Sequence, residues 1–499
     1  MEEDRNSYKS ITKSIGIFGG TKIFQILVGI IKNKIIAVLL GPYGMGISGM
    51  ITSTTDMVFS FSGLGLQTSA VRDVAQAHSS GNQDRINRTI TVLRKLIWFT
   101  GLLGFIIVFV FAEQFSLLSF GNEEWTWGFR IVSITLLINQ LIVGQNVLLQ
   151  GTFHYKYLAE VALISSVLGL ILTVPLFYFW RIKAIVPALC ITALINLLIS
   201  SHFSRKIKYT RVKISTREVL IEGKIMISLG LAFALAGLIN SGKVYIVRYF
   251  LEHLGTLETV GLYTAGYAIA TQYIDVILQA MGTDYTPRLS SVADNVPLFI
   301  ETINRQSILL VTIVSPFIML FVVFAPELIK LLYSSKFIPI TGMITWMMFG
   351  MFFRAMSWSM SFSYAARGDA RLFLVNEIII GVISLPCFII GYYVLGFLGI
   401  GIGFCLTYVF YTIQNYIICH KQFGFSFNKE VIIKCFPLIA LCFVFILLLQ
   451  FIDISWMRYV VGVFFLAVIS LISLRRMDQM IGLKSSIAQL KSKIIKRNG

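Results

Sequence analysis

The chain has 499 residues, of which 56% are hydrophobic and only 13% are charged, and its mean hydropathy is +0.80. A soluble globular domain carries about a quarter charged residues, so this composition excludes a water-soluble protein and indicates an integral membrane protein. The net charge of +18 would suggest a nucleic-acid partner in a soluble protein. A membrane protein instead concentrates Lys and Arg in its cytoplasmic loops, so no nucleic-acid partner is expected.

Apolar segments recur along the whole chain, and they have the length of about 20 residues that lets a helix cross a bilayer. Fourteen are predicted, at roughly 13–40, 44–70, 90–112, 127–150, 157–179, 184–203, 224–250, 258–284, 305–325, 338–366, 372–394, 397–419, 433–451 and 456–474. By these bounds and with the N-terminus inside, the inner loops and tails hold 24 of the 42 Lys and Arg, and the outer loops hold four. The positive-inside rule therefore predicts that both termini are cytoplasmic.

An internal repeat aligns residues 46–95 with 261–310 at a constant shift of 215. Six helices separate the copies, so both have the same orientation, as in transporters built from parallel repeats. The sequence thus predicts an all-α membrane protein with two six-helix lobes related by a parallel pseudo-two-fold axis, plus two C-terminal helices. The expected N-lobe, cytoplasmic linker, C-lobe, added spans and basic amphipathic tail cover 1–203, 204–223, 224–420, 421–474 and 475–499.

Several basic residues lie inside the spans, where a charge costs roughly 2.5–3.5 kcal/mol on insertion scales. Lys32 is nine residues from the predicted outer end of span 1 at Gly41-Pro42, about 13 Å along a helix and therefore near the midplane. At steps of three and four residues, one polar face of this helix carries Lys22, Gln25, Gly29 and Lys32.

Span 7, the repeat mate of span 1, carries Lys243 and Arg248, and the shift of 215 places Arg248 on Asn33. Both lobes thus carry positive charge at a similar depth. Arg354 lies deep in span 10 with no acid within two turns of its own helix. We therefore predict a cationic central site for an anionic substrate, built from Lys22, Lys32, Lys243, Arg248 and Arg354.

Two acids are equally deep, Asp56 in span 2 and Asp275 in span 8. Such acids can pair with the bases, carry a coupling proton or bind sodium, and a salt bridge between spans is an equal alternative. The sequence contains no P-loop, GxSxG or HExxH motif and no metal-ligand spacing of His or Cys, so neither an enzyme nor a bound metal or cofactor is expected beyond a coupling cation.

The motifs KIIAVLLGPYGMG in span 1 and GLYTAGYAIA in span 8, with the six-plus-six-plus-two arrangement, resemble the polysaccharide-transport flippases. These belong to the multidrug/oligosaccharidyl-lipid/polysaccharide exporter superfamily, and the likeness is greatest to bacterial O-antigen repeat-unit translocases. The resemblance implies alternating access in the bacterial cytoplasmic membrane. The implied cargo is an undecaprenyl-pyrophosphate-linked oligosaccharide, which moves from the inner to the outer leaflet. Membrane lipids, a polysaccharide polymerase and glycosyltransferases are the further partners that it implies.

Three alternatives stay open at this point. A cation-coupled multidrug extruder of the same superfamily would handle cationic drugs, whereas span 1 here is basic. A peptidoglycan-precursor flippase also transports a substrate with a diphosphate, so the deep basic residues do not distinguish it from an O-antigen repeat-unit translocase. A membrane-embedded glycosyltransferase would normally need a sizeable outer loop or an acid–base pair, and all predicted outer loops are short.

Overall fold

The computed structural model describes residues 2–449, 451–452 and 455–481, and all regular secondary structure in these residues is helical. Side chains are described at most positions from Thr21 onward, but not at Lys22, and most of the predicted tail lies outside the described residues. The α-helices are α1 Glu2–Ser62, α2 Leu66–Ser79, α3 Gln83–Val110, α4 Ala112–Phe120, α5 Thr126–Gly151, α6 Tyr155–Trp180, α7 Ile185–Ser204, α8 Thr216–Glu222, α9 Lys224–Leu254, α10 Leu257–Ser291, α11 Val296–Val323, α12 Ala325–Leu332, α13 Thr341–Ala366, α14 Ala370–Phe423, α15 Lys429–Leu448 and α16 Ser455–Ile481. Two 3₁₀ turns cover Arg181–Ala184 and Ser335–Ile340.

The described helices account for the predicted number of membrane crossings. Ten helical segments are long and apolar enough to span a bilayer. Three of them, Phe24–Ser62, Tyr155–Ser204 and Arg371–Phe423, have 39, 50 and 53 residues, so each is long enough to cross twice. The 35-residue α10 is also long enough, although it is more polar. The fourteen predicted spans and the all-α fold class are thereby confirmed.

Each of the three double-length segments contains a backbone break that lets the chain reverse direction. In α1 the break is at Gly41 (φ 66°, ψ −170°), a conformation open to glycine, and Pro42 follows it. The other two breaks are at Arg181 (φ 50°, ψ −126°) and Gly396 (φ 60°, ψ −138°). These two residues are 215 positions apart, so the two copies of the repeat turn at equivalent places with nearly the same backbone conformation.

Side-chain caps define where several helices begin. Asn82 starts α3 by accepting hydrogen bonds from the backbone N–H groups of Asp84 and Arg85. Ser215 and Glu218 form a reciprocal capping box at the start of α8. The hydrogen bonds from the backbone and side chain of Ser215 hold the pKa of Glu218 below its ordinary value, since they favour the ionised carboxylate.

By internal contacts the chain divides into two compact units. Unit one comprises Met1–Ala265 with Leu331–Phe337, and unit two comprises Gly266–Lys330 with Ile338–Gly499. Helix α9 belongs to unit one, where it packs against α1 and α2. The predicted lobe and linker boundaries follow the repeat rather than these contacts, and they stay a prediction.

Inside unit one, the two copies of the repeat meet at a reciprocal glycine contact. A Cβ atom on Gly46 would lie 1.9 Å from the carbonyl oxygen of Leu257. A Cβ atom on Gly261 would lie 1.8 Å from the carbonyl oxygen of Pro42. Gly46 and Gly261 are 215 residues apart, and so are Pro42 and Leu257. The structure therefore confirms the register of the repeat, because only a local two-fold relation makes the same contact twice.

Candidate functional site

A cavity of about 530 Å³ lies in unit one, between α1 and helices α5, α6 and α7. Lys32, Gln25 and Gly29 of α1 all line it, so the polar face predicted for span 1 is turned toward this cavity. Steps of three and four residues bring them to one side of the helix. Lys22, the fourth member of that predicted face, has a side chain outside the described part of the structure.

The rest of the polar lining consists of amides and hydroxyls that the sequence analysis did not identify. They are Thr21, Gln67, Asn146, Gln150, Ser165, Ser166, Thr192 and Asn196. Asn146 and Gln150 lie one turn apart in α5, within the stretch GQNVLLQ. Amide side chains inside an apolar span are the sequence feature that could have identified them as cavity residues. No Asp or Glu is among the described residues that line this cavity.

This lining fits a substrate that carries both an anion and many hydroxyl groups. Amide side chains offer donors and acceptors together, as sugar hydroxyls require. One amide is poised for an additional partner, because the buried Oδ1 of Asn146 accepts no hydrogen bond from any described residue. Lys32 is the one cation among the described residues that line the cavity, and it forms no ion pair with any described residue. An ammonium group in a site without carboxylates attracts anions and repels cations.

Arg248 and Asp56 form a second group of predicted site residues within unit one. The Nη1 of Arg248 donates a 2.6 Å hydrogen bond to the carbonyl oxygen of Gly49, which ties α9 to the second half of α1. Its positive charge also acts on the carboxylate of Asp56, one of the few exposed side chains in this part of α1. Arg248 thus holds two helices together in this conformation, and its role as a substrate ligand stays a prediction.

Lys243 lies in α9 five residues before Arg248, and its side chain is half-buried. The neighbouring Ser241 hydroxyl donates to the hydroxyl of Ser60 at 3.2 Å. This bond joins α9 to α1 from the same face of α9 that carries the Arg248 contact. Lys243 is not among the described residues that line the Lys32 cavity, and its place in a site shared with Lys32 stays a prediction.

In unit two, the structure gives Arg354 a partner that its own helix does not supply. The Nη2 of Arg354 lies 2.5 Å from Oδ1 of Asp275, and both side chains are largely buried. The guanidinium also faces the ring of Tyr408 at 5.6 Å. The acid comes from α10 rather than from α13, so a search along the helix of Arg354 alone could not find it, and the predicted role of Arg354 in binding the substrate stays a prediction. Of the roles considered for Asp275, charge pairing is the one observed.

Because Arg354 and Asp275 are buried together, replacing one of them should lower the stability of the protein more than replacing both. We expect Asp275→Asn to destabilise the protein by about 1–3 kcal/mol, since it leaves a buried guanidinium uncompensated. The double variant Asp275→Asn/Arg354→Met should recover part of this loss. Thermal unfolding in detergent measures both.

The matched control is Glu301→Gln, which breaks the exposed pair that Glu301 forms with Arg305 at 2.5 Å. An exposed ion pair contributes little to stability, so the Tm of the Glu301→Gln variant should barely differ from that of the original protein. A double variant that is no more stable than Asp275→Asn alone would contradict the paired role of the two residues.

A hydrogen-bonded group of polar side chains lies in unit two between α13 and the two halves of α14. Asn376 donates to the hydroxyl of Tyr411 at 2.7 Å, and Tyr411 donates to Glu377 at 3.3 Å. Tyr364 donates to Asn415 at 2.8 Å. Buried polar groups of this kind are satisfied by one another and fix the packing of helices in an apolar medium.

Comparisons with known proteins agree with this architecture. The family described as "Polysaccharide biosynthesis protein" matches residues 35–341, which is more than half of the chain. The lipid III flippases of Escherichia coli (strain K12) and Shigella flexneri are each 22% identical over 378 residues, covering 74% of this chain and 88% of the relative.

Two solved structures share the fold. The lipid II flippase MurJ in an inward closed conformation has a TM-score of 0.68 at 13% identity, covering 93% of this chain and 99% of that one. An inward-facing multidrug resistance transporter of the MATE family of the MOP superfamily has a TM-score of 0.66 at 16% identity, covering 80% and 94%. At these identities the likeness shows the fold, that of a multi-pass membrane protein.

Proposed function

Since the chain belongs to the polysaccharide biosynthesis protein family, we propose that it is a flippase for a lipid-linked oligosaccharide. It acts as a multi-pass protein of the bacterial cytoplasmic membrane. Its cargo is an oligosaccharide repeat unit of a surface polysaccharide, such as an O-antigen, carried on undecaprenyl pyrophosphate. The cargo moves from the inner to the outer leaflet by alternating access, without chemical change.

The observation that carries this proposal is the composition of the Lys32 cavity. A lipid-linked oligosaccharide presents an anionic diphosphate beside a chain of sugar hydroxyls, and neither is soluble in hydrocarbon. Lys32 supplies charge for the first, and residues such as Asn146, Gln150 and Asn196 supply hydrogen bonds for the second. The polyprenyl tail needs no such groups, because it remains in the bilayer.

The same observation ranks the alternatives. A multidrug extruder for cationic compounds would need acidic side chains to bind them, and no carboxylate lines this cavity in the described residues. A peptidoglycan-precursor flippase is the second candidate, because the likeness to the lipid II flippase covers nearly the whole chain and that cargo also has a diphosphate. The relatives named lipid III flippases support a lipid-linked cargo in the same way.

Asp56 is our candidate for energy coupling. Its carboxylate is exposed inside a membrane helix and experiences the charge of Arg248, so binding a proton or a sodium ion there changes the charge balance of unit one. Asp275 is less suited, because its carboxylate is engaged by Arg354. A polysaccharide polymerase and glycosyltransferases, which consume and supply the cargo, are the proposed functional partners.

Gene deletion followed by lipid analysis tests the proposed function. We expect the deletion strain to lose its surface polysaccharide and to accumulate an undecaprenyl-linked repeat unit on the inner leaflet. Peptidoglycan synthesis and drug susceptibility should be unchanged. An accumulated peptidoglycan precursor would favour the second candidate, and a new drug sensitivity with normal surface polysaccharide would contradict both.

A further inference from the structure

The basic segment between α7 and α8, residues 205–215, is fastened along one side of α3. The backbone N–H of Thr210 donates to Oδ1 of Asn87 at 2.9 Å, and that of Val212 donates to the hydroxyl of Thr91 at 3.3 Å. At the end of the segment the ammonium of Lys95 donates to the carbonyl oxygen of Ile214. Because α3 side chains satisfy its backbone, this segment has a defined path, and its cations have defined positions.

A cavity of about 750 Å³ lies between this segment and the ends of α3, α5 and α7. Four cations line it: Arg94, Arg205, Lys208 and Arg211. No carboxylate does so among the described residues. In α8, the helix that follows the segment, Glu222 accepts a 2.6 Å hydrogen bond from Arg88, which does not line this cavity. The cavity is therefore cationic without internal compensation.

A second cavity of about 650 Å³ adjoins the first, because Arg94 and Arg211 line both. Its remaining walls are mostly apolar and include Leu96, Trp98 and Phe99. The side chains of Trp98 and Phe99 are 51% and 62% exposed on a membrane helix, so they face the lipid. Along α3, the cationic cavity is therefore continuous with an aromatic groove that faces the lipid.

We propose that these two cavities together bind one anionic phospholipid of the inner leaflet. The phosphate lies between Arg94 and Arg211, where guanidinium groups can donate paired hydrogen bonds. The acyl chains follow the groove beside Trp98 and Phe99. Basic pockets at the cytoplasmic ends of membrane helices recognise anionic headgroups in this way, and Trp marks the level of the interface.

A contact with the 205–215 segment orients Arg94 in this site. Its guanidinium faces the ring of Tyr209 at 4.8 Å, so the segment that closes the pocket also orients the cation between the two cavities. Charge complementarity selects an anion, and the adjoining apolar groove selects one with acyl chains. The site is separate from the Lys32 cavity, with which it shares no lining residue, and it does not depend on the proposed function.

Lipid binding by the purified full-length protein tests this proposal. Native mass spectrometry or nanodisc titration compares phosphatidylglycerol with phosphatidylcholine for the original chain and for two double variants. Arg94→Gln/Arg211→Gln removes the two shared cations. Lys213→Gln/Arg217→Gln makes the same charge change in and beside the same segment, at residues that line neither cavity.

We expect Arg94→Gln/Arg211→Gln to weaken phosphatidylglycerol binding at least roughly tenfold, since two charge-assisted contacts are lost. The control should stay within about twofold, and phosphatidylcholine binding should not change. Trp98→Ala/Phe99→Ala, which leaves every cation in place, should weaken binding of long-chain more than short-chain phosphatidylglycerol. Unfolding curves for all variants confirm that each is folded.

Other outcomes overturn the proposal. Equal losses in both charge variants would mean that the net charge of the loop attracts the lipid, without a specific site. Displacement of phosphatidylglycerol by inorganic phosphate at equal concentration would show that the groove contributes nothing. Binding of undecaprenyl diphosphate at Arg94 and Arg211, with no retention of phosphatidylglycerol, would assign the pocket to the transported lipid instead.

Discussion

Replacing Lys32 with Met is expected to reduce translocation of the lipid-linked oligosaccharide at least roughly tenfold, because one charge-assisted contact to phosphate is worth about 1.5–3 kcal/mol. Met keeps the length and apolar stem of the side chain, so the cavity keeps its shape. The protein should remain as stable as before, since Lys32 forms no ion pair with any described residue. Surface polysaccharide and the inner-leaflet lipid intermediate in a complemented deletion strain provide the measurement.

Lys34→Met is the matched control for this experiment. It makes the same charge change two residues away in α1, but Lys34 does not line the cavity. Normal translocation is expected for this variant at equal expression. If Lys32→Met also translocates normally, the cavity is not the binding site for the diphosphate, and the role proposed for it is wrong.

Substituting Ala for Gly46 is expected to separate the two copies of the repeat where they touch. The added Cβ would lie 1.9 Å from the carbonyl oxygen of Leu257, a backbone atom that cannot rotate away. Overpacking of this kind costs about 1–3 kcal/mol, so Tm in detergent should fall by a few degrees. Gly261→Ala makes the reciprocal clash with Pro42 and should have a similar effect.

The double variant Gly46→Ala/Gly261→Ala should be less destabilised than the sum of the two single changes. One outward displacement of the helices relieves both clashes, so the second substitution meets a contact that is already open. Gly242→Ala is the control, because a Cβ there has no heavy atom within 4 Å. Fully additive effects, or a Gly46→Ala variant as stable as Gly242→Ala, would be incompatible with the reciprocal contact.

Most of the architecture was predictable because it follows from one-dimensional properties. An apolar run of sufficient length must be a helix in lipid, since only intrahelical hydrogen bonds satisfy its backbone there. Gly41-Pro42 ends a span because glycine reaches φ 66° and proline has no N–H to donate. The shift of 215 was readable from spacing alone, and the Gly46 and Gly261 contacts confirm it.

The candidate site was predictable only in part. Helical periodicity correctly placed Lys32 with Gln25 and Gly29, because residues three and four apart share a face. It could not identify Asn146, Gln150 or Asn196 as their neighbours, since those residues come from α5 and α7. Periodicity gives the faces of a helix, but it does not say which other helix lies opposite.

By itself, the sequence determined that the chain is a two-copy helical membrane protein with excess cations at its inner loops and uncommon charges within its spans. The tertiary structure alone decided the partners of those charges. Arg354 pairs with Asp275 across helices, Arg248 bonds to a backbone oxygen, and Lys32 faces an amide-lined cavity. The physical reason is that backbone hydrogen bonding is local along the chain. The desolvation of a charge, by contrast, is compensated by whichever group folding brings within a few ångströms.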